Sequence, residues 1–164
     1  EFLATYYDSP VYVRLVRINT PVIFGDDYKF EFGRGYVIKE GRDVTMVSTG
    51  AMLFKILEVH DKLKERGISA EVIHMPTIKP LDKETLIKSV SKTGKVITVE
   101  EHSIIGGLGS AVAEAISENY PCCLVRTGIQ DLFAESGEPE DLFKKYGLSV
   151  DTITEKVIQL LKKK

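Results

Sequence analysis

Residues 43–67, DVTMVSTGAMLFKILEVHDKLKERG, place a strand-forming stretch directly before a helix-forming one. The first seven residues are mostly β-branched or apolar, which is typical of a buried strand. After the break at Gly50, apolar residues recur at helical spacing until Gly67, namely Met52, Ile56, Val59 and Leu63. This stretch therefore predicts one strand followed by one helix.

The same unit recurs along the chain. Further strands are predicted over residues 70–76, 95–101 and 122–128, and each leads into a helical pattern. Asp82 is predicted to begin the helix after the first of these strands, and Ser149 is predicted to cap the last helix. Because strands that alternate with helices are typical of parallel sheets covered on both faces, we expect a three-layer αβα fold.

The first 42 residues follow a different pattern. Residues 11–17, VYVRLVR, predict a strand, whereas residues 18–33 are rich in turns and indicate a linker. A short strand is then predicted in GYVIK, before a turn at Glu40 and Gly41. Because this turn is so close to Val44, we expect a hairpin and hence one antiparallel edge strand. The prediction is a mostly parallel five-stranded α/β sheet.

Composition limits the location and the partners of the protein. The 164 residues are 43% hydrophobic and 28% charged, as in ordinary globular proteins, and the net charge of −2 gives no support for binding nucleic acid or a membrane surface. Cys122 and Cys123 are interpreted as buried thiols on opposite faces of a strand. With no signal peptide and no long apolar run, a cytoplasmic location is predicted. The start at EFLATYYDSP, without Met, is interpreted either as a cut inside a longer polypeptide or as an artificial junction.

A glycine-rich junction follows the strand predicted over 95–101, in the sequence VEEHSIIGGLG. Ligands of open α/β sheets bind beyond the carboxyl ends of the strands, where this loop should lie. One hypothesis is therefore a stand-alone module that binds an anionic ligand at residues 106–109. However, Val112 stands where a dinucleotide motif needs a third glycine, and no Gly-Lys-Ser/Thr follows. The alternative is a structural role, in which the glycines allow a sharp turn.

Three chemically versatile side chains precede these glycines: Glu100, Glu101 and His102. A carboxylate beside a histidine raises the histidine pKa toward physiological pH, so the trio is compatible with acid–base catalysis. The same residues are also compatible with a hydrogen-bonded loop, because no nucleophile or second base stands nearby in the sequence. No spacing of His and Cys residues indicates a metal site.

Taken together, these segments resemble the carboxyl-terminal domain of the transketolase family of thiamine diphosphate enzymes. The stretches that carry the resemblance are SPVYVRLVR, FGRGYVIKEGRDVTMVSTGAM, ERGISAEVIHMPTIKPLD, TGKVITVEEHSIIGGLGSAVAE and GIQDLFAESG. The related 1-deoxyxylulose-5-phosphate synthases and the β subunits of 2-oxo acid dehydrogenases share this domain and remain alternatives. Residues 133–137, FAESG, look more like the transketolase version. The resemblance implies that residues 1–34 end the middle domain and that residues 35–164 form the C-terminal domain.

The resemblance implies an enzyme of the pentose phosphate pathway type, which transfers a two-carbon ketol unit between sugar phosphates. In this family, two other domains hold thiamine diphosphate and Mg²⁺, through a GDG…N motif and an activating glutamate. This chain has GDD at residues 25–27 but not that motif, and it starts after the expected place of the glutamate. We therefore expect the chain to bind no cofactor, to carry no catalytic residue and to be inactive without the N-terminal domains or subunit.

The third domain of the family mainly supports subunit association. The resemblance therefore implies that the junction residues lie at a domain or dimer interface of a homodimer, namely Glu101, His102, Gly106, Gly107 and Gly109.

One element of a substrate site is also implied by the resemblance. The family often has S-R-Q-N-L-P at the end of the middle domain, and the arginine of this motif binds the phosphate of the sugar. The stretch VRINTP, residues 16–21, is similar at Arg17, Asn19 and Pro21 but differs at the three other positions. Arg17 is accordingly expected to bind the substrate phosphate in the complete enzyme. The alternative is an arginine at a strand end that makes a surface ion pair.

Overall fold

A computed structural model describes residue 5 and residues 9–163 of the chain. Its strands are β1 (Tyr36–Lys39), β2 (Val44–Ser48), β3 (Ala70–His74), β4 (Lys95–Ser103) and β5 (Cys123–Ile129). Its helices between these strands and after them are α1 (Met52–Glu65), α2 (Lys83–Thr93), α3 (Leu108–Asn119), α4 (Pro139–Lys145) and α5 (Val150–Lys162). In the described residues, none of the helices is long and apolar enough to cross a membrane.

The five strands form one sheet in the order β1-β3-β2-β4-β5. Strands β2 to β5 pair in parallel, and β1 runs antiparallel to β3 at the edge. The predicted α/β sheet with one antiparallel edge strand is therefore confirmed. Helices α1 and α5 cover one face, whereas α2 and α3 cover the other. Successive residues of β2 alternate between these layers, since Met46 packs with the first core and Val47 with the second.

The predicted hairpin between β1 and β2 is wrong. Strand β2 is paired on both sides, with β3 and β4, so it has no free edge for β1. The segment that connects β1 to β2 instead crosses the first residues of β3, and Gly41 lies at the crossing point. A Cβ atom at Gly41 would lie 2.6 Å from the carbonyl oxygen of Ala70, so only glycine fits this crossing. The edge strand exists, but its partner is distant in sequence.

The strand predicted over residues 11–17 is also wrong, because these residues have no regular secondary structure. A strand is stabilised by hydrogen bonds to a neighbouring strand, and within the described residues the sheet provides none for this segment. Tyr12 and Leu15 are each 86% exposed. Of the predicted middle-domain end, residues 1–34, the first eight apart from Thr5 lie outside the described residues.

Two sequence-predicted helix starts are confirmed. The Asp82 carboxylate accepts a hydrogen bond from the backbone N–H of Thr85 at 3.0 Å, and Ser149 Oγ accepts one from Thr152 at 3.3 Å. Cys122 and Cys123 are free, half-buried thiols that pack against opposite cores, so the predicted opposite faces are confirmed but the burial is only partial.

Candidate functional site

The junction between β4 and α3 begins later than the sequence predicts. Strand β4 extends to Ser103, so His102 belongs to the strand and not to the loop. Its pairing with β5 shifts register between Val99 and Ser103, and Ser103 is again paired, with Ile129. The irregular section of the strand therefore carries the three side chains that the sequence offers for acid–base chemistry.

Glu100 caps the N-terminus of α3. Its side chain is buried, and its two carboxylate oxygens accept hydrogen bonds from the backbone N–H groups of Leu108 and Gly109, both at 2.7 Å. A carboxylate at this position satisfies two helix donors that lack intrahelical partners and interacts favourably with the helix dipole. The charged hydrogen bonds compensate the cost of burying Glu100.

The glycines of the loop fit around this carboxylate. A Cβ atom at Gly107 would lie 2.8 Å from the carboxyl carbon of Glu100 and would overlap its Oε2. A Cβ at Gly109 would lie 2.9 Å from Thr98 Oγ1, whereas Gly106 has open space but a φ of +76°. The three predicted loop glycines thus have steric and conformational roles in a capped helix start.

The acid–base trio is not assembled. Glu100 points to the helix, Glu101 lies 3.4 Å from the guanidinium of Arg14, and His102 is exposed with Nδ1 3.0 Å from the carbonyl oxygen of Ser103. The hypothesis of an external anion at residues 106–109 also loses support, because the backbone N–H groups of Leu108 and Gly109 already donate to Glu100 and that of Gly106 donates to Ser110 Oγ. Sequence reasoning missed this capping role. The only available signal was a glutamate eight residues before the first helical N–H.

Arg17 lies on a cavity of about 480 Å³, which we call the linker cavity. It is formed between residues 14–18 and the carboxyl edge of the sheet. The residues that line it on the side of the sheet are Glu101, Ile129, Ala134, Pro139, Leu142, Phe143, Tyr146 and Leu148. Arg17 is exposed, whereas the next residue, Ile18, is half-buried and packs against the core. No carboxylate of the described residues forms an ion pair with Arg17, so the alternative of a surface ion pair finds no partner in that part of the chain.

The loops that follow β4 and β5 carry exposed apolar side chains. Ile105 is 58% exposed, Leu132 is 50% exposed and Phe133 is fully exposed. The FAESG loop, residues 133–137, is held at Glu135. The backbone N–H of Glu135 donates to the Tyr146 hydroxyl at 2.8 Å, and the Glu135 carboxylate pairs with Lys145. An ordered loop therefore presents Phe133 to the surroundings.

The described residues do not fit a thiamine diphosphate and Mg²⁺ site. Among them, no group of three His, Cys, Asp or Glu side chains could hold a metal ion. The buried carboxylate nearest to a glycine loop, Glu100, is engaged with α3. The GDD stretch at residues 25–27 is an exposed turn, closed by a hydrogen bond from Tyr28 N–H to the Gly25 carbonyl.

A model of the family described as transketolase, C-terminal domain, matches residues 33–153. The chain belongs to this family. The sequence is 44% identical over 160 residues to a putative transketolase C-terminal section of Methanocaldococcus jannaschii, which covers 96% of this chain and 50% of that protein. It is 40% identical to a 6-deoxy-6-sulfo-D-fructose transketolase subunit of a Clostridium species, over 96% of this chain and 49% of the relative.

A solved structure supports the same assignment. A split-gene transketolase, described as an inactive β4 tetramer, superposes with a TM-score of 0.85 at 48% sequence identity, covering 88% of this chain and 48% of that one. The predicted transketolase-type C-terminal domain is therefore confirmed. The chain spans about half the length of the curated relatives it matches.

Proposed function

We propose that this chain is the C-terminal part of a transketolase-like enzyme that transfers a two-carbon ketol unit from a ketose phosphate to an aldose phosphate. The observation that carries the proposal is the 44% identity to a transketolase C-terminal section over nearly the whole of this chain. The relatives named as transketolase sections or subunits favour ketol transfer over the related synthase and dehydrogenase reactions.

Thiamine diphosphate and Mg²⁺ would be held by an N-terminal domain or partner subunit. The cofactor would supply the nucleophilic carbon of the transfer. The described residues of this chain offer no metal-binding cluster, and the backbone N–H groups of Leu108 and Gly109 already donate to Glu100, so no chemical step is assigned to them. This part of the proposal leaves the chain with binding and assembly roles.

Arg17 is proposed to bind the phosphate of the sugar. Its guanidinium is exposed on the linker cavity, and planar guanidinium groups bind phosphate through paired, charge-assisted hydrogen bonds. Ile18, the residue after Arg17, packs against the core. Arg14, three residues before Arg17, pairs with Glu101. These two contacts favour a fixed position for Arg17 relative to the C-terminal domain. We retain residues 1–34 as the proposed end of the middle domain.

Association with partner chains is proposed for the carboxyl edge of the sheet. Exposed apolar side chains are concentrated on this loop surface and on the linker, and a surface of this kind is typical of interaction sites. They include Tyr12, Leu15, Val22, Ile105, Leu132 and Phe133. A homodimer of complete enzymes, each with its N-terminal part, would cover them.

Reconstitution tests the proposed function. The chain is mixed with its N-terminal partner, thiamine diphosphate and Mg²⁺, and two-carbon transfer between xylulose 5-phosphate and ribose 5-phosphate is measured. We expect turnover from the mixture and none from either part alone. Parallel assays with pyruvate, with and without glyceraldehyde 3-phosphate, test the alternatives. Activity with pyruvate but without ketol transfer would refute the proposed reaction in favour of a synthase or dehydrogenase.

A further inference from the structure

Lys55 is a buried lysine on the core face of α1. Its position follows the apolar spacing of the helix, three residues after Met52 and four before Val59, and the residue is only 6% exposed. Burying a charge lowers stability unless the charge is paired and hydrogen-bonded. The partners of this ammonium group therefore decide what Lys55 does in the fold.

The ammonium group of Lys55 contacts α4 in two ways. Both carboxylate oxygens of Glu140 accept hydrogen bonds from Lys55 Nζ, each at 2.8 Å. The nitrogen also lies 5.2 Å from the ring centroid of Phe143 and 5.1 Å from that of Phe54, within the range of cation–π contacts. Glu140 and Phe143 belong to α4, so Lys55 joins α1 to α4 through an ion pair and a ring contact.

The helix that Lys55 contacts is short and mostly exposed. Helix α4 has seven residues, and its buried residue is Phe143. Because isolated helices of this length are unstable in water, the position of α4 depends on contacts with the rest of the protein. The Lys55–Glu140 pair and the packing of Phe143 in the core supply such contacts, three residues apart and hence on one face of α4.

The linker cavity relates α4 to Arg17. Residues 14–18 form one side of this cavity. The other side includes a group of residues from α4 and its flanking loop that we call the α4 wall, namely Ala134, Pro139, Leu142, Phe143 and Tyr146. The loop is attached to the end of α4, because the N–H of Glu135 donates to the Tyr146 hydroxyl. A shift of α4 would therefore move this wall and change the shape of the cavity at Arg17.

Stability alone does not account for a charged residue at position 55. Replacing a buried ion pair by apolar side chains of similar volume is often neutral or stabilising, so an apolar residue would serve the core equally well. An apolar side chain, however, does not fix the direction of its neighbour, whereas charge-assisted hydrogen bonds do. The Lys55–Glu140 pair therefore specifies where α4 lies.

We infer that Lys55 is a positioning residue for substrate binding. Through Glu140 and Phe143 it holds the α4 wall, and the linker cavity thereby keeps the shape in which Arg17 binds the sugar phosphate. Lys55 does not line the cavity and acts through α4. The inference rests on the proposed phosphate-binding role of Arg17.

Lys55→Met in the reconstituted enzyme tests this role, with erythrose 4-phosphate as the acceptor. Methionine keeps an unbranched apolar stem between the two rings and removes the charge, so we expect the fold to remain intact. KM for the acceptor should rise about threefold to tenfold, with a smaller change in kcat, because the substitution alters binding from a distance. Lys55→Arg keeps a charged donor for Glu140 and should leave KM near its native value.

Lys62→Met is the matched control. Lys62 lies on the same helix, pairs with Asp151 of α5 and does not line the linker cavity, so its replacement should leave KM unchanged. Amide hydrogen exchange of the chain alone gives a readout that does not depend on activity. The amides of Leu142 and Tyr146, which donate along α4, should exchange faster in Lys55→Met but not in Lys62→Met.

The outcomes separate this inference from the proposed function when Arg17→Ala is measured alongside. A raised KM in Arg17→Ala with a native KM in Lys55→Met would overturn the positioning role, even if α4 exchanges faster. Glu140→Gln, with the same expected rise, decides the question if Lys55→Met does not fold. An equal rise in Lys55→Arg would show that packing sets KM and would also overturn the inference. A native KM in Arg17→Ala would refute the phosphate-binding role and the inference with it.

Discussion

The carboxylate of Glu100 occupies the space that a side chain on Gly107 would need. A Cβ atom at Gly107 would lie 2.8 Å from the Glu100 carboxyl carbon, and the carboxylate is fixed there by two backbone donors of α3. The glycine loop and the buried glutamate are therefore one structural unit. This relationship explains why a sequence suggestive of a ligand site forms a closed corner.

Gly107→Ala is expected to lower the free energy of unfolding by about 2 kcal/mol, within the range for overpacking a buried site. The added methyl group must displace either the Glu100 carboxylate or the start of α3. Urea unfolding monitored by circular dichroism measures the change. Gly106→Asn is the matched control, because its position has open space and asparagine tolerates a positive φ. Equal losses in the two variants would show that backbone conformation, not the contact with Glu100, determines the effect.

Glu100→Gln is expected to destabilise the chain by about 2 kcal/mol, since hydrogen bonds to a charged group are the stronger ones and an amide can accept at only one of its two atoms. Glu101→Gln should change stability less, because Glu101 accepts no backbone hydrogen bond from a helix start and its contact with the exposed Arg14 is long, at 3.4 Å. Thermal unfolding of both variants gives the comparison. In the reconstituted enzyme, a large loss of kcat in Glu100→Gln with unchanged stability would instead support acid–base chemistry.

The sequence predicts individual strands and helices of this fold better than it predicts which strands are neighbours in the sheet. Periodicity identifies β2 and α1, and side-chain chemistry identifies the caps Asp82 and Ser149. The partner of β1 could not be predicted, because pairing with β3 depends on which sheet edge remains free. Residues 11–17 have strand-like composition, but a strand needs a neighbour that the described residues do not provide.

The same limit applies to the candidate sites. The sequence VEEHS places three reactive side chains together, but the irregular pairing of β4 sends them in different directions. Glu100 acts as a helix cap only because the loop brings the backbone N–H groups of Leu108 and Gly109 back to its carboxylate. His74 gave no signal in the sequence, because its burial and the cavity beside it result from contacts 50 to 60 positions away, at Phe24 and residues 14–16.

The stability of the fold is expected to fall between pH 6.5 and pH 4 because of His74. Burial lowers the pKa of His74 from its ordinary value of 6.5 to about 4, against a smaller opposing effect of the Ser48 carbonyl. The unfolded chain therefore binds a proton at a higher pH than the folded chain, and protons favour unfolding in this window. Below pH 4, His74 is expected to lower the free energy of unfolding by about 3 kcal/mol relative to its value above pH 6.5.

Denaturant unfolding at several pH values, compared between the native chain and His74→Gln, measures this contribution. Carboxylates that titrate near pH 4 are common to both proteins and cancel in the difference. A profile of His74→Gln parallel to that of the native chain would contradict the expected role.

Thiamine diphosphate with Mg²⁺ should not bind this chain without its partner. The described residues contain no metal-binding cluster, and the backbone donors at the start of α3 are occupied. Isothermal calorimetry of the chain alone is the direct measurement, with the reconstituted complex as the positive control. Micromolar affinity of the chain alone, equivalent to about −8 kcal/mol, would require a cofactor site in this part of the enzyme.

Arg17→Ala in the complete enzyme is expected to raise KM for phosphorylated sugars by roughly tenfold to a hundredfold, the scale of charged hydrogen bonds of about 1.5–3 kcal/mol. The effect on kcat should be smaller, because the phosphate is remote from the bond that breaks. Arg17 is exposed on the linker cavity and pairs with no carboxylate of the described residues, so its removal should leave the fold intact.

Erythrose and erythrose 4-phosphate, compared as acceptors, separate phosphate binding from a structural role of Arg17. If the guanidinium binds the phosphate, only the phosphorylated acceptor loses affinity in Arg17→Ala. Arg34→Ala is the matched variant, since Arg34 is an exposed arginine that pairs with Glu31 and does not line the linker cavity. It should leave both KM values unchanged. An equal loss for both acceptors in Arg17→Ala would mean that Arg17 stabilises the linker, and the phosphate-binding role would be wrong.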